Sequence, residues 1–401
     1  MASDDYTTAR EAAELLGVSI TTFYVYVGRH KIRSQAIEGS RERLYWRQDL
    51  LGLRARRRSG REPASTAAPR GDLRRESALT LLTERGPFYR GEGAVELAET
   101  ASLERVASIL WNCDERDVFG EDPPRAPSSF MAISRELEAL PWLDRAALLL
   151  PMLEFCNPKS FDLSAAGAAR TGGGVIRWLA AILLGAPTPP KEPIHLYLAR
   201  QLKLGDMHAD LIRRLLVLSA DHGFEPGSYA VRAVAANGVT PWRSVMTGLL
   251  VSGGRRSSLS RHEAADRFLA EILAAPDPTA PVRRFLREGA EVPGFGSNIY
   301  GAVDPRAASI LATLKTTMGD EPDYRRLTQV SDMMKETCGS HPSFPLVSLF
   351  VNRQVGLTYE RSVFLVARAV GWIAHAIEQF EHGEAEHREG LYSGPLPKAR
   401  G

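Results

Sequence analysis

The sequence predicts an all-α protein preceded by a small basic unit. Apolar residues recur at helical spacing through 196–204, 206–219, 229–237, 241–251, 260–274, 306–319 and 359–381. No βαβ alternation, Gly-rich dinucleotide fingerprint, Walker motif or internal repeat interrupts them. A chain of 401 residues also exceeds one ordinary core, so at least two domains are expected.

The net charge of +2 excludes a chain-wide electrostatic footprint for nucleic acid, but the charge is unevenly placed. Arg29, Lys31, Arg33, Arg41, Arg43, Arg47, Arg54, Arg56, Arg57, Arg58 and Arg61 crowd one short stretch with few acids among them. Cys113, Cys156 and Cys338 are isolated and odd in number. With no CxxC pair, neither a zinc site nor a disulfide framework is indicated, which points to a reducing cytoplasm. The opening Met-Ala-Ser-Asp-Asp-Tyr lacks the basic and apolar regions of a secretion signal. The most apolar run, 176–184, is broken by Arg177 and too short for a bilayer, so no membrane partner is expected.

Residues 1–53 form the first unit. Thr7 or Thr8 can cap a helix from Ala9 to Leu16, in which Ala12, Ala13, Leu15 and Leu16 sit at helical spacing. Gly17-Val18-Ser19 makes a tight turn, and Ser19 caps a second helix running to about Gly28. That is helix–turn–helix spacing. A strand-like hairpin over 37–47 and a third helix start at Gln48-Asp49-Leu50 follow. The combination resembles the winged helix-turn-helix domains of the MerR and excisionase group. The resemblance implies DNA as a partner, with Thr21, Thr22 and Tyr24, and Tyr26 beside them, in a major groove and Arg41, Arg43 and Arg47 on phosphates. The alternative is that Phe23 and Tyr26 are core aromatics and the arginines a solvated face.

Residues 54–76 mix arginines with Pro, Ser, Gly and Thr without apolar periodicity, as a flexible tether does. From Ser77 amphipathic helices are expected, the first over 77–86 and another over 102–111 capped by Ser102.

Three segments carry a second resemblance. They are Leu218-Ser-Ala-Asp-His222-Gly-Phe-Glu-Pro-Gly, Gly294-Phe-Gly-Ser297-Asn-Ile-Tyr300 running on to Asp304-Pro-Arg306, and Ala367-Arg368-Ala-Val-Gly-Trp-Ile-Ala-His375. The chain is similar to the citrate synthase family over roughly residues 77–395, about four fifths of its length. The resemblance implies the citrate synthase fold, a homodimer in which a large helical domain (77–256 and 353–401) carries a small mobile one (257–352). Residues 77–98 resemble the region that opens the large domain, where the family has a strand-like stretch, a Tyr-Arg-Gly turn and a Val-Glu-Leu-Ala helix. It also implies a pocket for an oxaloacetate-like dicarboxylate, with acetyl-CoA or another acyl-CoA as second substrate and no metal or resident cofactor. His222, Arg306 and Arg368 stand at the family's substrate-binding positions. The third family Arg aligns with His387, and Arg388 beside it substitutes after a one-residue slip. Guanidinium forks suit carboxylates because they bind them bidentately.

The family's acid–base set is replaced. Its two catalytic histidines correspond to Ser257 and Ser297, and its catalytic aspartate to Pro345. A serine hydroxyl is no base at neutral pH, and proline has no acceptor side chain. His262 is a possible stand-in, five residues past Ser257. Glu225 brings a carboxylate where the family has an amide and is expected to repel a dianion. Three readings follow: a citrate synthase relative with poor or absent condensation activity, a metabolite-responsive DNA-binding regulator on the same fold, or a non-catalytic partner of an active citrate synthase. The first requires a residual acid–base set, and the second draws on the basic N-terminal unit.

Overall fold

The computed structural model describes residues 6–29, 32–37, 42–58, 76–254, 258–297, 299–358 and 363–381. Contacts divide the chain into two compact units, one built on residues up to Arg74 and the other spanning Arg75–His387.

The first unit comprises β1 (Tyr6–Thr7), α1 (Ala9–Leu16), α2 (Ile20–Arg29), β2 (Ser34–Ala36), β3 (Arg43–Trp46) and α3 (Arg47–Arg58). Thr8 and Glu11 close a capping box at the start of α1, and Gly17 ends it at φ 64°. Ser19 Oγ accepts from Thr22 N at 3.2 Å and opens α2. The strands form an antiparallel sheet in the order β1-β3-β2. Ala12, Leu16, Phe23, Tyr45, Leu50 and Leu53 fill the core. The hairpin sits N-terminal to the predicted one, because Ser34–Ala36 pairs with Arg43–Trp46 and Arg47 already begins a helix. That helix continues through Arg58, past the expected end of the unit.

The second unit opens with an antiparallel sheet, β4 (Thr80–Thr83), β5 (Gly86–Tyr89) and β6 (Glu92–Gly93). The helix expected over 77–86 is therefore a strand and a turn. Gly86 takes φ 112°, a conformation that no helix accommodates, and Pro87 follows it.

Helices then run to the end of the described chain. α4 (Ala94–Thr100), α5 (Leu103–Trp111), α6 (Glu115–Phe119), α7 (Phe130–Glu136) and α8 (Trp142–Phe155) lead through a short 3₁₀ turn (Pro158–Phe161) to α9 (Ala165–Leu184). α10 (Ile194–Gln201), α11 (Asp206–Ser219), α12 (Pro226–Ala235) and α13 (Pro241–Ser252) follow. α14 (Ser258–Ala274), α15 (Ala280–Arg287), α16 (Pro305–Met318), α17 (Pro322–Cys338) and α18 (Phe344–Gln354) precede the last, α19 (Phe364–Glu381).

α19 is the axis of this unit. Its residues from Leu365 to Glu378 are all buried, so it is enclosed around its whole circumference, with Arg368, His375 and Glu378 as its buried polar members. It packs on α5, α9, α11, α12 and α13. Two close approaches depend on glycine. A Cβ on Gly371 would fall 2.5 Å from the Ala220 carbonyl oxygen, and one on Gly248 would fall 2.4 Å from the Trp372 ring. α14, α16, α17 and α18 pack among themselves, and α16 joins them to α4 and α11. Among the described residues no helix is long and apolar enough to cross a membrane.

Candidate functional site

The site grows from the turn that links α11 to α12. Asp221 Oδ2 accepts from Gly223 N at 2.8 Å, and Gly223 adopts φ 66°, which folds the chain back sharply at His222. The Tyr89 hydroxyl donates to the Val217 carbonyl at 3.0 Å and braces the end of α11. From the other side Gly371 N donates to the Ala220 carbonyl at 3.1 Å. Strand β5 and helix α19 thus hold one turn between them.

Beneath the turn lies a buried polar chain. Glu378 Oε2 accepts from Arg232 Nη1 at 2.6 Å, and the same nitrogen donates to His375 Nδ1 at 3.3 Å. His375 Nε2 then faces Asp221 Oδ1 at 3.4 Å. An accepting Nδ1 places the ring proton on Nε2, toward Asp221. Burial opposes the charge on Asp221, yet His375 and Arg368 hold its carboxyl well below the usual range. Arg232, on α12 just past the quoted motif, thereby serves the scaffold.

Above the turn the predicted binding residues meet. His222 Nε2 shares a 2.6 Å hydrogen bond with the Tyr300 hydroxyl. Burial, with Arg306 and Arg368 beside it, keeps the imidazole well below its ordinary pKa and therefore neutral. Burial also pushes the Tyr300 hydroxyl up to about 12. Arg306 lies over the Tyr300 ring at 5.1 Å and over Phe344 at 4.4 Å. Its Nε and Nη2 donate to the two oxygens of Asp304 at 3.1 and 2.7 Å. Arg368 projects from α19 against Phe364 at 4.9 Å. Only 4% exposed, it has neither Nε nor Nη1 in a hydrogen bond. A buried guanidinium with two open donors is costly unless an acceptor reaches it.

Ser297 and Pro345, expected to stand at two of the family's catalytic positions, have structural work. Ser297 Oγ accepts from Ile299 N at 3.3 Å and Tyr300 N at 3.1 Å, which shapes the loop that delivers Tyr300. Pro345 sits in the first turn of α18, where its missing N–H costs nothing. Ser257, Arg388 and Arg41 lie outside the described residues. His262 is buried edge-on against Phe364 at 5.3 Å, the ring that also carries Arg368.

The Glu225 carboxylate caps α12, accepting from Gly227 N, Ser228 N and the Trp372 indole at 2.8, 3.0 and 2.9 Å. A helix N-terminus stabilises such a carboxylate in its charged form. Sequence reasoning assigned no role to Tyr300, Asp304 or Asp221, although all three lie inside the quoted motifs and two of them flank named arginines or His222.

On the first unit, Thr21 and Tyr24 are exposed on α2, while Thr22 is half-buried and shares a hydrogen bond with Ser19 at 2.8 Å. Tyr26 packs on the core. Arg43 reaches Ser34 Oγ at 2.9 Å, and Arg47 is exposed at the start of α3.

The fold of the second unit is a helical scaffold that brings one imidazole and two guanidiniums together. Residues 178–388 match the family model of the citrate synthase C-terminal domain, and the chain belongs to the citrate synthase family. It is 27% identical to the citrate synthase of Haloferax volcanii over 344 residues, covering 76% of this chain and 89% of that one. With citrate synthase 2 of Bacillus subtilis it shares 22% identity, covering 82% and 96%. Among solved structures, citrate synthase from Pyrobaculum aerophilum superposes with a TM-score of 0.69 at 16% identity, over 84% of this chain and 98% of that one. The citrate synthase of Thermoplasma acidophilum, solved in a ternary complex with carboxymethyl coenzyme A and oxaloacetate, gives a TM-score of 0.66 at 16% identity, over 85% and 97%. These likenesses establish the citrate synthase fold.

Proposed function

We propose that this chain binds a small dicarboxylate, together with a CoA ester, in the pocket of His222, Arg306 and Arg368, and condenses them poorly or not at all. The observation that carries the reading is Arg368, buried with Nε and Nη1 open beside a neutral His222. Two donors on one planar fork suit a carboxylate. The complex of the Thermoplasma relative with oxaloacetate supports that choice of ligand. Against turnover stand Ser297, whose oxygen already accepts two backbone N–H groups, and Pro345, which offers no proton acceptor. Loss of one general acid or base typically lowers a rate by about 10²–10⁴-fold. Calorimetry with oxaloacetate and acetyl-CoA, alongside a thiol-release assay, tests the reading. Binding without thiol release supports it, whereas brisk release by the purified chain, or no heat with either compound, overturns it.

Pairing into a homodimer belongs to the same reading. Leu148 and Phe155 on α8, Phe161 after it and Leu250 on α13 expose apolar side chains on elements that pack together. Light scattering on the purified chain measures its mass.

A second reading is favoured by the N-terminal unit: a regulator that docks α2 in a DNA groove. Thr21 and Tyr24 are exposed on α2 while Arg43 and Arg47 remain on the surface nearby in sequence. A gel shift on duplex DNA, with and without oxaloacetate, checks it.

A further inference from the structure

The outward face of α2 has a chemistry of its own. Ile20, Thr21, Tyr24, Val25 and Gly28 fall within one half of the helix circumference, opposite buried Phe23. Ile20 is 47% exposed, Tyr24 54% and Val25 59%, so three large apolar side chains face outward on a helix of ten residues. From Ile20 to Gly28 the helix carries no charged residue at all. The surrounding chain is the opposite, since residues 29–58 hold ten Lys or Arg against three acids. An apolar strip bordered by cationic sequence complements the floor of a groove walled by phosphates.

We propose, resting on the DNA-binding reading above, that this unit reads thymine methyl groups in the major groove. Guanine is read by an Arg or Lys fork and adenine by Asn or Gln, and α2 has none of these from Ile20 to Gly28. What it offers are methyl and ring surfaces, for which the only apolar partner on a major-groove base edge is the thymine C5 methyl. Val25 and Ile20 supply the apolar contact. Thr21 and Tyr24 add hydroxyls for neighbouring acceptors, and Gly28 leaves the helix free of a side chain where it nears the DNA. Affinity then comes from Arg43 and Arg47 on phosphates, and sequence choice from carbon.

The test uses the full-length chain. Duplexes are selected from a randomised pool, and the winning site is resynthesised with deoxyuridine in place of each thymine in turn, which removes one methyl and nothing else. Burial of a methyl-sized group is equivalent to about a fourfold change in binding. Each read position should therefore weaken by about that factor. In Val25→Ser at least one of those positions should become indifferent to the swap. A selected site whose binding ignores every deoxyuridine swap overturns methyl reading and leaves DNA binding standing. Failure to retain any duplex at low salt overturns both.

Discussion

Arg306 and Arg368 are both buried guanidiniums beside His222, yet their circumstances are opposite. Arg306 has its fork filled by Asp304, whereas Arg368 has two donors open. Arg368 also helps to keep the buried Asp221 carboxylate ionised. Arg368→Met is expected to lower the melting temperature while weakening dicarboxylate binding by about 10- to 100-fold, the worth of a charge-assisted hydrogen bond of about 1.5–3 kcal/mol. Calorimetry and a thermal melt on the same preparation check both halves. Arg232→Met leaves Glu378 buried without its counter-charge and should cost about 3–5 kcal/mol. The double variant Arg232→Met with Glu378→Gln should recover most of that in urea denaturation, since Gln still accepts from Ala78 N. At this scale the motifs made His222, Arg306 and Arg368 legible. They did not reveal the grip of Asp304 on Arg306 or the cap made by Glu225, because both depend on where a short loop turns rather than on residue spacing.

Among the elements, α19 does most to shape the pocket, and its fit depends on Gly371. Gly371→Ala would set a Cβ 2.3 Å from Asp221 Oδ1, against a backbone that is itself hydrogen-bonded across the contact. Overpacking of this kind costs about 1–3 kcal/mol. The helix and the His222 turn must separate, so the variant should lose stability and ligand affinity together, read by denaturation and calorimetry. Helices with a polar stripe were legible from periodicity: α11 spans the predicted 206–219, and α13 ends one residue from its predicted limit. α9 shows no such period in the sequence, because nearly every residue from Gly167 to Leu183 is buried and no polar face marks its turn. The misreading at 77–86 has a different cause. Leu79, Leu81 and Leu82 satisfy a helical period, but Thr80 and Thr83 are β-branched and Gly86 demands a positive φ.

Across the whole molecule, two half-buried neutral imidazoles link stability to pH. Burial pushes His195 down to about 4, and His222 is held well below the ordinary value. The unfolded chain takes up these protons near pH 6.5 and the folded chain does not, so the unfolded state binds more protons below that point. Stability is therefore unaffected above about pH 6.5 and falls as the pH drops from there toward the folded values, by up to about 1.4 kcal/mol per pH unit for each imidazole. Urea denaturation at pH 7 and pH 5 should show that loss, and the double variant His195→Gln with His222→Gln should flatten it. The depressed carboxyl of Asp221 acts with the same sign but only below the unfolded aspartate value, near pH 3.9.

Ala78 N donates to Glu378 Oε1 at 2.8 Å, three hundred residues away in sequence. The entrance of the second unit and its final helix are thus stitched at a single carboxylate that also anchors Arg232. An expression variant beginning at Ser77 keeps that stitch, and one beginning at Leu79 cuts it. Two residues at the boundary therefore decide whether the buried ion pair of Arg232 and Glu378 keeps its backbone donor.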